Sequence, residues 1–260
     1  MTWKRSFDLL FGQTIAKHAG HPDDAEDAFA CSTDGRSVAV TDGASLSFDP
    51  RTWAQVLASA FVTSSTVHLT GLSGEWLASV SASYRSQVVR EGWNWAQEAA
   101  FGLGSFSTML GVRACERHDG VHLVAIGDTV AVLVNGGRRL RSFPLSDPFD
   151  FTLNPDLCST VHDHNRVDAN GNVRGGRTQY WDLSGWDEPI LLCMTDALAQ
   201  WALHRDTQAG IRTGSDVWTI LAGLRTTEQL RSLVRAEQST RSMRIDDVTL
   251  VTLQARVSHE

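Results

Sequence analysis

The chain has 260 residues, 42% apolar and 20% charged, the balance of an ordinary soluble globular protein with enough length for a sizeable core. Thirty acidic residues against 23 basic ones leave a net charge of −7, which argues against a general nucleic-acid binder, because displacing counterions from phosphate needs a positive field. No stretch approaches the ~18 consecutive apolar residues of a membrane span, so neither nucleic acid nor membrane is expected as a partner. A phosphorylated substrate stays open, since a bound metal reverses the sign locally.

The first twenty residues place Lys4 and Arg5 ahead of apolar ones, as a secretion signal does. Asp8 and Gln13 interrupt the apolar part and no small-residue cleavage site closes it, so the segment reads as a mature N-terminus. Residues 37–41 (SVAVT) read as a strand running into the turn Asp42-Gly43. Asp49 as N-cap and Pro50 in the first turn open a helix over 50–66, with an apolar stripe of Trp53, Val56, Leu57, Ala60 and Phe61. A second helix is expected over 74–90 and a short third over 94–100. After Gly104 the segments 105–115, 120–128 and 129–137 are strand-like, with the spacing of an antiparallel meander. Residues 141–176 read as a polar, turn-rich stretch with Asn170-Gly171 as a hairpin tip, and Arg138, Arg139 and Arg141 as a solvated turn. A buried strand is expected over 189–194, then helices over 197–204 and 226–238, and a final strand in DDVTLVTLQARV. With no repeat and no linker, this order describes one domain over residues 1–260, of layered α+β type. Cys31, Cys115, Cys158 and Cys193 are scattered with no C-x-x-C pair, which excludes a zinc ribbon and suits a reducing cytoplasm.

Carboxylates recur at the ends of apolar strands: Glu26-Asp27, Asp42 before Gly43, Asp196 after ILLCMT, and Asp246-Asp247 before VTLV. Each alone has a plain structural explanation as a turn or helix cap. Converging, they would repel one another unless a cation sat among them. Hard ions such as Mg²⁺ and Mn²⁺ favour oxygen ligands of this kind, and a pair of them clamps a phosphoryl group and activates water.

In this order the motifs resemble those of the PP2C-type (PPM) metal-dependent Ser/Thr protein phosphatases. The pieces are Glu26-Asp27-Ala28-Phe29, VAVTDGAS, GSFSTMLGV, LVAIGDTVAVLV, LLCMTDALAQW and IDDVTLV, spanning residues 26–252. The resemblance implies a four-layer α-β-β-α sandwich with two central antiparallel sheets. It implies that Asp42 bridges two Mn²⁺ or Mg²⁺ ions, that the Gly43 carbonyl completes one site, and that Asp196 and Asp246 hold the other. Glu26 and Asp27 would act nearby, mostly through metal-bound water, with Asp27 counted among the metal residues, and Asp128 would mark a third, weaker metal site. A metal-bridging hydroxide would attack phosphorus in a phosphorylated protein substrate, with a Ser/Thr kinase as the opposing partner.

The departures fall on other groups. Pro22 stands where many members have a phosphate-binding Arg, with His21 beside it. Ala44 replaces a candidate general acid, Ala197 a glycine and Asp247 an asparagine. Retained metal ligands with weakened phosphate capture fit a divergent bacterial-type phosphatase. They also fit a non-catalytic binding or regulatory module that keeps the fold and the metals. His162-Asp163-His164 and Asp168–Asn172 read as an exposed loop and a turn instead of metal sites. Of the nine tryptophans most are expected in the core, with a few available as partner-binding anchors.

Overall fold

A computed structural model of the chain describes residues 3–18, 21, 24–64, 70–116, 118–152, 154–209 and 217–259. In chain order these contain strands β1 (Trp3–Ile15), β2 (Ala28–Cys31) and β3 (Ser37–Thr41), then helices α1 (Pro50–Thr63), α2 (Gly74–Gln87) and α3 (Trp95–Leu103). Strands β4 (Phe106–Ser107), β5 (Met109–Ala114), β6 (Gly120–Ile126), β7 (Val130–Asn135), β8 (Arg138–Phe143), β9 (Cys158–Ser159), β10 (Arg177–Asp182) and β11 (Ile190–Met194) follow. Helices α4 (Asp196–Ala209), α5 (Val217–Gly223) and α6 (Thr227–Ser239) precede the last strand, β12 (Val248–His259).

Two antiparallel five-stranded sheets form the centre. One has the order β1-β12-β11-β7-β8, the other β10-β6-β5-β3-β2. The period-2 alternation of each inner strand decides which residue faces which layer. In β3, Val38 and Val40 point between the sheets while Ala39 points to the helices on its outer face. In β7, Ala131 and Leu133 point between the sheets, and Val130, Val132 and Val134 point the other way. Both faces of the inner strands are therefore covered, which is why SVAVT is buried throughout. Trp53, Leu57 and Phe61 of α1 and Leu77, Val80 and Tyr84 of α2 cover one sheet. Leu198 and Trp201 of α4, Trp218 and Leu221 of α5, and Leu230 and Val234 of α6 cover the other. The result is a four-layer α-β-β-α sandwich, as expected.

Local chemistry accounts for the helix starts. Asp49 caps α1 through Thr52 N at 3.3 Å, ahead of Pro50. Thr226 and Gln229 form a reciprocal capping box at α6. At the C-terminal end α1 stops at Thr63, short of residue 66; residues 65–69 lie outside those described.

Several expectations need correction. The three strands after Gly104 are not one meander: β5 pairs with β6, but β7 belongs to the other sheet and pairs with β11 and β8. The chain crosses between sheets at Gly127, whose φ of +90° is open to glycine, and this crossing carries Asp128. The N-terminal segment, for which no strand was expected, is a long edge strand paired with β12. Arg138, Arg139 and Arg141 lie on β8 and not in a turn; Arg139 pairs with Asp206 at 2.7 Å and Arg141 lies over the Trp186 ring. Residues 177–182, which carried no strand expectation, form β10. Trp53, Trp181, Trp201 and Trp218 are buried, while Trp95 is exposed. No helix among the described residues is long and apolar enough to cross a membrane.

A candidate metal centre at one end of the sandwich

Strand register brings the acidic residues together. In one sheet Ala28 faces Thr41, Val40 faces Leu110, and Met109 faces Ile126. In the other, Met194 faces both Val130 and Leu250, and Val248 faces Ile15. The chain segments just beyond these rows carry Asp27, Asp42, Asp128, Asp196, and Asp246 with Asp247. Hydrogen bonds between the sheets tie the ends together. The Thr195 and Thr249 hydroxyls each donate to one oxygen of Asp27 at 2.9 Å, and Thr108 and Thr129 share a hydroxyl contact at 2.7 Å.

The backbone around Asp42 is held firmly. Its amide donates to Thr108 Oγ1 at 3.2 Å, and its carbonyl accepts from the Ser107 hydroxyl and Thr108 N, both at 2.9 Å. Gly43 is required sterically, since a Cβ there would stand 2.7 Å from the Pro50 carbonyl oxygen and 2.8 Å from that of Glu26. Asp247 accepts from the backbone amides of Lys17 and Glu26, each at 2.7 Å. The Lys17 ammonium donates to Glu26 at 2.6 Å and to Ser45 at 2.9 Å, and Ser45 also donates to Glu26. Asp196 is the first residue of α4, accepts from Ala197 N, and pairs with Arg244, whose guanidinium also lies 3.4 Å from Asp246.

Crowding of like charge shows in the protonation equilibria. Burial, then the charges of Asp246 and Asp128, push the Asp42 carboxyl up to about 7 against the opposing charge of Arg244. Burial, then Asp42 and Asp247, hold Asp27 well above the carboxylate range despite its two hydroxyl donors. Burial also raises Asp128, with Arg244 opposing and Asp246 adding to the rise. Burial disfavours the Lys17 ammonium, but the bond to Glu26 and the charges of Asp247, Glu26 and Asp246 leave its pKa raised.

A divalent cation suits this donor set. Asp128 is 4% exposed and both its carboxylate oxygens are buried without a hydrogen-bond partner, a condition that costs free energy until a cation or donor arrives. All the acceptors are hard oxygens, the chemistry of Mg²⁺ or Mn²⁺ sites. Yet among the described residues no three acidic, histidine or cysteine side chains stand as a ready-made cage. Arg244 lies between two of the donors instead.

Glu26, Asp27, Asp42, Asp128, Asp196 and Asp246 thus share one region, where each is within the electrostatic or hydrogen-bonding reach of another of them or of a common partner. Pro22 lies outside the described residues, and His21 is exposed near Asp24. His164 packs against Phe106, and Asp168 accepts from the amides of Asn170 and Asn172 as a turn residue. Sequence reading passed over Lys17 and Arg244. Neither sits in a recognisable motif; the one signal was the spacing of Arg244, two residues before Asp246.

No family model matches the sequence, and no curated protein matches it. Solved structures do. The serine/threonine phosphatase Stp1 from Staphylococcus aureus is 18% identical with a TM-score of 0.57, covering 96% of each chain. The Mycobacterium tuberculosis serine/threonine phosphatase PstP/Ppp is 15% identical with a TM-score of 0.51, covering 100% of each. The catalytic domain of PstP in complex with two manganese ions is 13% identical with a TM-score of 0.56, covering 99% of this chain and 100% of that one. Sheet order, helix layers and these similarities agree: the chain has the fold of the PP2C-type serine/threonine phosphatases.

Proposed function

We propose that the chain is a divalent-metal-dependent phosphatase that hydrolyses phosphoserine or phosphothreonine in proteins. One observation carries this reading: strand ends from both sheets deliver Asp42, Asp128, Asp196 and Asp246 to one region where Asp128 is buried with no partner. The shared fold supports it, as does a neighbour described with two manganese ions. Asp42, Asp196, Asp246 and the Gly43 carbonyl would hold two Mn²⁺ or Mg²⁺ ions, with Asp128 at a third, weaker site. Such ions supply Lewis acidity and lower the pKa of water when bound.

The chain's own residues do the positioning. Thr195 and Thr249 orient the Asp27 carboxyl beside Asp42. Lys17 and Ser45 aim Glu26, and Asp27 and Glu26 act on the substrate through water. The protein substrate carries a phosphoryl group, and a Ser/Thr kinase opposes the reaction. The unit is one domain over residues 1–260, and its four free cysteines suit the cytoplasm.

A second reading, a non-catalytic binding module with the same fold, is favoured by the Arg244 pairs with Asp196 and Asp246. Turnover of an aryl phosphate and of phosphopeptides with Mn²⁺ separates the two. The enzyme loses turnover on chelation and in Asp42→Asn. Wild-type hydrolysis at background level on both substrates would reject catalysis and favour the module.

A further inference from the structure

We infer that Arg244 is a built-in competitor for the divalent cation: its guanidinium holds Asp196 and Asp246 in the metal-free protein and must leave them before the cation binds there. The inference rests on the metal-dependent reading above and adds a control element to it.

The geometry supports competition over permanent cohabitation. One guanidinium nitrogen, Nη2, lies against both Asp196 and Asp246, and the group carries further donors in a rigid fork. A divalent cation on the same carboxylates would stand within contact range of a fixed positive charge, and at such distances the repulsion is strong even with partial screening. Arginine does not deprotonate in a protein, so the conflict is relieved by movement alone.

In the Arg244–Asp196 pair, Arg244 is the partner able to move. Its side chain is 37% exposed against 10% for Asp196, which is anchored at the start of α4. It lies in the segment joining α6 to β12, outside any helix or strand. A cavity of about 230 Å³ opens beside it, lined by Ala197, Trp201, His204, Ser242 and Met243 together with Arg244 itself. The released side chain has that space to enter. In the metal-free state the guanidinium also offsets the negative charge felt by Asp42 and Asp128. It therefore acts as a stand-in cation for these carboxylates.

Calorimetric Mn²⁺ titration and thermal melts of the full chain test this in wild type, Arg244→Gln and Arg244→Lys. Arg244→Gln should melt lower than wild type in chelator, because two carboxylates lose their shared cation. It should bind Mn²⁺ about tenfold tighter, a coupling of ordinary size between linked sites, and gain more melting temperature from the metal. Arg244→Lys keeps the charge without the fork and should fall between, which preserves the test if the glutamine variant folds poorly. A merely structural arginine would lower the metal-free melt without tightening Mn²⁺ binding. Variants that bind Mn²⁺ no tighter than a Mn²⁺-binding wild type would overturn the inference and leave the metal reading standing. Absence of binding by all three would overturn both.

Discussion

Replacing Asp42 by asparagine keeps the shape of the side chain and removes its charge. In the folded, metal-free protein that carboxyl is pushed from 3.8 up to about 7 by burial, Asp246 and Asp128. The folded state therefore binds a proton the unfolded chain has already released, and stability falls as pH rises from about 4 to about 7. Three pKa units correspond to about 4 kcal/mol as an upper bound. Because the side chain keeps partial exposure, about half of that is the expected gain from Asp42→Asn above pH 7. At roughly 2–4 °C per kcal/mol for a chain near this length, the variant should melt about 4–8 °C higher than wild type at pH 8 in chelator. The advantage should shrink toward zero at pH 4.5, where wild-type Asp42 is protonated. With millimolar Mn²⁺ the order should reverse, since wild type gains binding free energy that the variant has lost. Differential scanning fluorimetry at the two pH values, with and without metal, reads all of this. A variant that melts at or below wild type in chelator at pH 8, or a difference that ignores pH, would refute the claim that charge crowding burdens the carboxylate cluster.

Two further substitutions probe the scaffold. Gly43→Ala forces a Cβ against the carbonyl oxygens of Pro50 and Glu26 and should cost about 1–3 kcal/mol by overpacking, seen as a lower urea midpoint; an unchanged midpoint would show that the turn relaxes freely. Thr249→Val removes one of the two hydroxyls donating to buried Asp27 and should cost about 1–3 kcal/mol in chelator at pH 8. Thr249→Ser, which keeps the donor and loses only the methyl group, distinguishes loss of the donor from loss of packing.

Much of the fold was legible because inner elements carry their own signals. SVAVT and PILLCM are buried on both sides, and PILLCM reads as a continuous apolar run. Asp49-Pro50 and Thr226 announced their helices through capping chemistry. Among the strands that escaped notice, β1, β8 and β10 are edges of the two large sheets. An edge strand is solvated on one side and protected by charge, so RRLRSF and RTQYWD look like loops until a neighbour pairs with them. The crossing of β7 into the second sheet was hidden for a different reason. Strand spacing is the same for a hairpin as for a change of sheet, and the turn at Gly127 decides between them.

The acidic strand ends, with the order of their motifs, were present in the linear sequence. Side-chain type and local context are enough to identify a carboxylate beside an apolar run. What stands next to what depended on register across distant pairs, such as Met194 opposite Val130 and Leu250. The same holds for Lys17 and Arg244. A basic residue in a polar segment carries no local mark of its partner, because electrostatic pairing is set by distance in space and not by separation along the chain. Only the folded arrangement put Arg244 between Asp196 and Asp246 and left Asp128 buried without a partner.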